Sequence, residues 1–212
     1  MPLCFDLDGT LGSFSGGYLL LREALQAVWG WLPSEDDLRR CGGSTDWEIV
    51  DELHRQKFGT PLSADGYAAY DRACLERFQA TFHPEGRRPA VHRGLVQGMT
   101  LLLEEGYDLW LVSGNTPRIL AFKAMALGVD PRIRQLGSLP GYTRAQLIQL
   151  ALDEAPPPHL YVGDRAHDHE AANAARVPFL GVGEAAPEGG HPVLSPDSEA
   201  AELVAVVRAI LG

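Results

Sequence analysis

From about residue 92 to the end, short apolar runs alternate with longer amphipathic stretches, and that alternation leaves the chain few folds to choose from. Helical patterns at about 92–105, 116–127, 143–153 and 198–211 interleave with strand patterns at Asp108–Val112, at 133–136, at His159–Val162 and at Pro178–Val182. Such alternation calls for a parallel sheet covered by helices on both faces. One more strand, Leu3–Leu7, begins the chain and runs into the tight turn Asp8-Gly9-Thr10. Between this strand and the alternating part lies a block without strand patterns. Its helices, at about 18–30, 46–57 and 65–81, are separated by Gly-Trp-Leu-Pro, Cys-Gly-Gly-Ser and Gly-Thr-Pro-Leu breaks. Ser44, Thr45 and Asp46 are the N-cap candidates for the second of them. The expected architecture is therefore a doubly wound α/β core of residues 1–15 and 86–212, with an all-helical domain of residues 16–85 inserted after the first strand.

Composition narrows the function. There are 18 Lys plus Arg against 28 Asp plus Glu, a formal charge of −10, and no basic cluster, which argues against a nucleic-acid surface. No run approaches the roughly 18–20 apolar residues that span a bilayer. The N-terminus meets Asp6 at once and has no basic segment ahead of an apolar one, so a cytoplasmic protein is expected. Cys4, Cys41 and Cys74 are an odd, widely spaced set that fits neither a disulfide framework nor a structural zinc site. Oligomeric state is left open.

In open parallel sheets ligands collect beyond the carboxyl ends of the strands. Here those ends carry Asp6-Leu7-Asp8-Gly9-Thr10, Ser113-Gly114-Asn115-Thr116 and Gly163-Asp164-Arg165-Ala166-His167-Asp168. Four carboxylates gathered in one small space repel one another unless a cation joins them. With only oxygen ligands on offer, magnesium is the natural ion. Ser113, Gly114 and Asn115, at a strand-to-helix turn, offer a hydroxyl and backbone N–H groups to phosphate oxygens.

These segments resemble the motifs of the haloacid dehalogenase superfamily, in its phosphatase branch with a helical cap. The match rests on Asp6-Leu7-Asp8-Gly9-Thr10-Leu11, on Ser113 after an apolar strand, and on Gly163-Asp164 with Asp168, in the expected order. Gly43-Ser44-Thr45-Asp46 with Ile49 is similar, more weakly, to a cap segment of phosphoglycolate-phosphatase-like members. The resemblance implies a Rossmann-like core and a magnesium-dependent phosphatase acting on a small phosphorylated metabolite. It makes Asp6 the nucleophile that becomes an aspartyl-phosphate, and Asp8 the acid that protonates the leaving oxygen and then activates water. Asp6 and Asp164 would hold magnesium by their side chains and Asp8 by its carbonyl, with Asp168 as ligand or support. Ser113 would hold the transferring phosphoryl group. A phosphomutase on the same core, or a weakly active phospho-metabolite-binding protein, is the competing reading.

Two positions depart from the family pattern. The motif lysine ahead of the fourth strand is absent, since the only lysines, Lys57 and Lys123, lie elsewhere in the sequence. Arg144, which opens a predicted helix, is the expected substitute, because guanidinium binds phosphate bidentately. Arg176 stands where relatives tend to carry glycine, and the sequence offers no reason for it. Arg40, beside Arg39, is a candidate for reaching a second anionic group of the substrate from the cap. His54 and His83 are expected at the surface, His167 and His169 on different faces of a helix rather than as metal ligands, and Trp29, Trp31 and Trp47 in the cap core. Residues near 12–17 and 83–89 are expected to hinge the cap, and Glu184–Pro196 to form a flexible loop at the site edge.

Overall fold

The computed structural model describes residues 2–83, 85–152, 159–186 and 190–212. A six-stranded parallel sheet forms the centre, built from β1 (Pro2–Phe5), β4 (Asp108–Val112), β5 (Arg134–Leu136), β6 (Leu160–Gly163), β7 (Phe179–Val182) and β8 (Val193–Leu194) in the order β5-β4-β1-β6-β7-β8. Strands β1, β6 and β7 are buried along their whole length, as their unbroken apolar runs require of strands covered on two faces. Helices α5 (Arg93–Glu104), α6 (Pro117–Leu127), α7 (Arg144–Leu152), α8 (Ala166–Ala175) and α9 (Ala200–Leu211) supply the cover. The chain reverses its direction of winding at β1, and the register pairs Phe5 with both Leu111 and Val162. That register brings the ends of β1, β4 and β6 to one edge, at the switch point where α/β sheets bind ligands.

Between β1 and α5 run α1 (Gly17–Trp29), α2 (Glu35–Arg40), α3 (Asp46–Phe58) and α4 (Ala64–Thr81). Their starting points follow local chemistry. Thr45 is the N-cap of α3: its hydroxyl accepts from Glu48 N while the Glu48 carboxylate accepts from Thr45 N, a reciprocal capping box. Helix α2 is absent from the periodicity because none of its residues is buried; it is held by the Ser34–Asp37 capping box and a run of acids in its first turn. The insertion is flanked by a short antiparallel pair, β2 (Gly12–Ser13) with β3 (Ala90–Val91). Both predicted hinge segments adjoin this pair, although Pro84 lies outside the described residues. One continuous apolar cluster runs from Leu3 and Phe5 in the sheet to Leu25, Val50 and Tyr70 in the insertion, so the helical block shares the core of the sheet.

Trp29, Trp31 and Trp47 pack half-buried against that cluster, and His54 stacks edge-on with Trp29 at the surface. Residue 153, predicted as the end of a helix, and residues 187–189 of the predicted loop lie outside the described residues. The remainder of that loop is not structureless, because Val193–Leu194 adds the edge strand β8. Among the described residues no helix is long and apolar enough to cross a membrane, and the three cysteines are free.

Arg176 now has a structural account. It is the C-cap of α8 at φ 61°, the one non-glycine residue of the described chain in the left-handed region. Its backbone N–H closes the helix on Asn173 O. The position suits glycine, because a Cβ there crowds the following carbonyl. Arg176→Gly is expected to raise the unfolding free energy by about 0.5–1 kcal/mol, read as a shifted urea midpoint at unchanged slope. An unmoved or lower midpoint would contradict the assignment.

Candidate active site

Asp6 follows β1 directly, and its N–H is still bonded to Val162 O, so the sheet fixes where the carboxylate stands. It is 3% exposed. Two residues on, Asp8 is partly open to a cavity of about 480 Å³ between the sheet edge and the insertion. The turn between Asp8 and Thr10 depends on Gly9: its φ is +88°, and a Cβ there would stand 2.0 Å from Asp164 Oδ2.

Ser113 and Asn115 follow β4. The Asn115 side-chain amide donates to Ser113 Oγ at 2.8 Å and to Asp8 Oδ2 at 2.7 Å, tying the first two loops together. From the third loop come Asp164 and Asp168. Asp6, Asp164 and Asp168 each offer an oxygen, and those oxygens lie within 4.8 Å of one another. Asp8 stands beside this trio but turns its carboxylate to Asn115 and Lys123.

Arg144, the first residue of α7, reaches into the same place and is buried. Its Nη1 donates to Asp6 Oδ1 at 3.1 Å and to Asp168 Oδ1, while Nη2 donates to Ser44 O at 3.0 Å. A guanidinium thus stands against the carboxylate that follows β1. Tyr161 completes the arrangement from β6: its hydroxyl donates to Val112 O at 3.2 Å and lies 3.4 Å from both Arg144 Nη1 and Asp168 Oδ1. Asp168 Oδ2 accepts from Arg165 N, so both oxygens of Asp168 are engaged by protein. Asp168 thus holds Arg144 and the third loop, and each of its oxygens keeps a second lone pair.

Electrostatics agrees with an ion here. Burial pushes the Asp6 carboxyl well above the usual range, opposed by Arg144 and reinforced by Asp168, Asp164 and Asp8. Burial and Asp168 push Asp164 up to about 6. Two carboxylates driven toward the neutral form, side by side and with only oxygen ligands, fit a hard divalent cation that would restore their charge.

The insertion closes over this edge through the start of α3. Asp46 N donates to Gly114 O at 2.7 Å, Asp46 Oδ2 accepts from Thr116 N at 3.0 Å, and Trp47 N donates to Ser138 Oγ at 2.9 Å. Gly114 permits the approach, since a Cβ would lie 2.4 Å from Ser44 O. Burial holds Asp46 at about 6, against the opposing charge of Lys123. A carboxyl of ordinary pKa when unfolded and about 6 when folded binds more protons in the native state, so its contribution falls as pH rises through that interval. Asp46→Asn can still accept from Thr116 N. The variant is expected to match wild type near pH 4 and to exceed it by up to about 3 kcal/mol above pH 6.5, from a shift of about two units. Parallel urea curves at every pH would overturn this.

Two sequence expectations change. Arg40 does not line the cavity: it ends helix α2, none of whose residues is buried, and is exposed. Arg39 beside it is paired with Glu35 and Asp36. Lys123, set aside because it lies far from the family's lysine position, is buried at the site. Its ammonium donates to Asp8 Oδ2 at 2.6 Å and to Asn115 Oδ1 at 2.7 Å. The signal was present, for Lys123 falls on the stripe Ile119, Leu120, Ala124, Leu127 that α6 buries. The two histidines part as expected: His167 faces the cavity, whereas His169 packs against Phe179 and His191.

The comparisons agree with this geometry. Among solved structures, a hydrolase from Pseudomonas syringae superimposes with a TM-score of 0.68 at 17% identity, over 100% of this chain and 99% of its own. CbbY from Rhodobacter sphaeroides, in complex with phosphate, gives 0.68 at 18% identity over 93% and 95%. A predicted phosphoglycolate phosphatase from Haemophilus somnus 129pt gives 0.61 at 18% over 98% and 96%. At such identities the likeness speaks for the fold alone. A search of curated protein sequences finds no match. The family model described as haloacid dehalogenase-like hydrolase matches residues 3–173, which take in the sheet edge, the insertion and all three polar loops, and the chain belongs to that family of hydrolases.

Proposed function

We propose that the protein is a magnesium-dependent phosphatase that hydrolyses a small, cytoplasmic phosphomonoester through Asp6, with the helical insertion of residues 16–85 acting as its cap. The observation that carries the reading is the setting of Asp6: a buried carboxylate at a sheet edge, with Arg144 against one oxygen and Ser113, Asn115 and Asp8 around the same cavity. Asp6 attacks phosphorus and forms an aspartyl-phosphate while Asp8 gives its proton to the leaving alcohol oxygen. Asp8 then takes a proton from water, which attacks the acyl-phosphate and frees inorganic phosphate, so that both carboxyl groups return to their starting states. Ser113, Arg144 and the N–H groups of Gly114 and Asn115 bind the phosphoryl oxygens through both steps. Magnesium, held by Asp6, Asp164 and the carbonyl of Asp8, with Asp168 in support, would neutralise phosphoryl charge and keep Asp6 ionised. That CbbY from Rhodobacter sphaeroides, which shares the fold, was solved in complex with phosphate supports an anionic ligand.

The test is phosphate release from p-nitrophenyl phosphate and a panel of small phosphate esters, with magnesium and with EDTA. Magnesium-dependent release is expected. Transfer of phosphate between two positions of one sugar, without release, would favour the mutase; binding without any turnover would favour the binding protein.

A further inference from the structure

Beyond the phosphoryl end, the cavity holds three polar groups that hydrolysis alone does not explain: Lys123, Tyr70 and Asp46. The Lys123 ammonium lies over the rings of Phe14 and Phe78, at 5.3 and 4.9 Å from their centres. An ammonium has three N–H groups, and Asp8 and Asn115 take two of them. Tyr70 is fully buried and lines the same cavity, yet its hydroxyl has no oxygen or nitrogen partner and only the weakly bonding Cys74 thiol beside it. A buried hydroxyl left in that state costs about 1–3 kcal/mol, which a ligand oxygen would recover.

Charge selects the kind of oxygen. Each cation that lines the cavity already faces a carboxylate: Lys123 faces Asp8, Arg144 faces Asp6 and Asp168, and Arg165 faces Asp164. Asp46 lines the cavity too, and among the described residues no cation stands within ion-pair distance of it. A second anionic group on the substrate would therefore meet an acid without a free cation. A hydroxyl fits, since it accepts from Lys123 or Tyr70 and donates to Asp46. Phe14, Ile49 and Phe78 offer apolar surface to the carbon skeleton. The ester oxygen must lie within hydrogen-bond reach of Asp8, so Lys123 stands roughly two hydrogen-bond lengths from it, a span that a hydroxyl one or two carbons along the leaving group covers.

We propose that Lys123 and Tyr70 form a subsite for a neutral hydroxyl of the leaving group, so that the substrate is the phosphate ester of a compact, uncharged polyhydroxy alcohol and not of a hydroxy acid. The inference rests on the phosphatase reading, because only that reading makes the cavity above Asp8 the place of the leaving group.

Calorimetric titration of the full chain with magnesium tests it, using inorganic phosphate, butylphosphonate, 3,4-dihydroxybutylphosphonate and 3-carboxypropylphosphonate. Wild type is expected to bind the dihydroxy compound about tenfold more tightly than butylphosphonate, the worth of one or two good hydrogen bonds. The carboxylate should gain nothing. Lys123→Met should bring the two binding constants within about twofold while phosphate still binds, and Tyr70→Phe, a milder change, should reduce the preference by about threefold. Equal affinities in wild type, a preference kept in both variants, or tightest binding of the carboxylate would each overturn the subsite while leaving the phosphatase reading intact. Failure of wild type to bind phosphate would overturn both. Were Lys123→Met not to fold, wild type and Tyr70→Phe would still decide.

Discussion

Asp6→Asn is expected to lower phosphate release by about 10⁴-fold or more on every ester that wild type hydrolyses, because an amide cannot take the phosphoryl group. The same substitution should make the metal-free protein more stable. Asp6 sits among Asp8, Asp164 and Asp168, and burial already drives it toward the neutral form. The amide keeps the shape and an acceptor for Arg144 Nη1, but it removes one charge from that crowd. Activity and stability are thus expected to move in opposite directions, which separates loss of the nucleophile from loss of the fold. A variant that kept more than about a hundredth of wild-type turnover would show that the reaction does not pass through Asp6.

Removing the guanidinium should do the reverse to stability. Arg144→Met leaves Asp6 and Asp168 buried without their cation, and breaking one side of such a group typically costs about 3–5 kcal/mol. Turnover should fall by about 100-fold or more as well, from the loss of a donor to the phosphoryl oxygens. The stability loss has a direction in pH. Arg144 lowers the Asp6 pKa, so without it Asp6 rises further, takes up a proton more readily on acidification, and the deficit is smaller at pH 5 than at pH 8. Urea unfolding at the two pH values reads this directly. Arg144→Lys is the informative companion: a single ammonium can pair with one carboxylate but lacks the fork that also meets Ser44 O. An Arg144→Met protein that unfolded with wild type at both pH values would remove Arg144 from the account.

Much of this was legible in the residues because the sheet edge is local chemistry repeated three times. Asp6, Ser113 and Asp164 each follow an apolar run directly, so naming the strands already placed them together. Arg144 was legible from its position at the start of a helix ahead of β6. Lys123 was not, because it was compared with a family position and not with its own helix, where it interrupts an apolar stripe. Helix α2 and strand β8 escaped for a different reason. A six-residue helix with no buried side chain and a two-residue edge strand carry no periodicity, and capping or pairing alone holds them. Arg40 shows the converse error, since an attractive charge in the sequence says nothing about which way its helix faces.

The short ladder of Gly12 and Ser13 with Val91 and Ala90 bears on how such a protein can diversify. Because the chain leaves the sheet and rejoins it at hydrogen-bonded neighbours, the sheet sees the whole helical block as one closed loop. Closing a loop grows costlier only with the logarithm of its length, so doubling the block would cost about 0.6 kcal/mol in chain entropy. Lengthening the block in the exposed turns between its helices would leave the strand order, and with it the three polar loops, where they are. The helices that cover the sheet edge can then vary in length and sequence while the strand ends that carry Asp6, Ser113 and Asp164 keep their spacing.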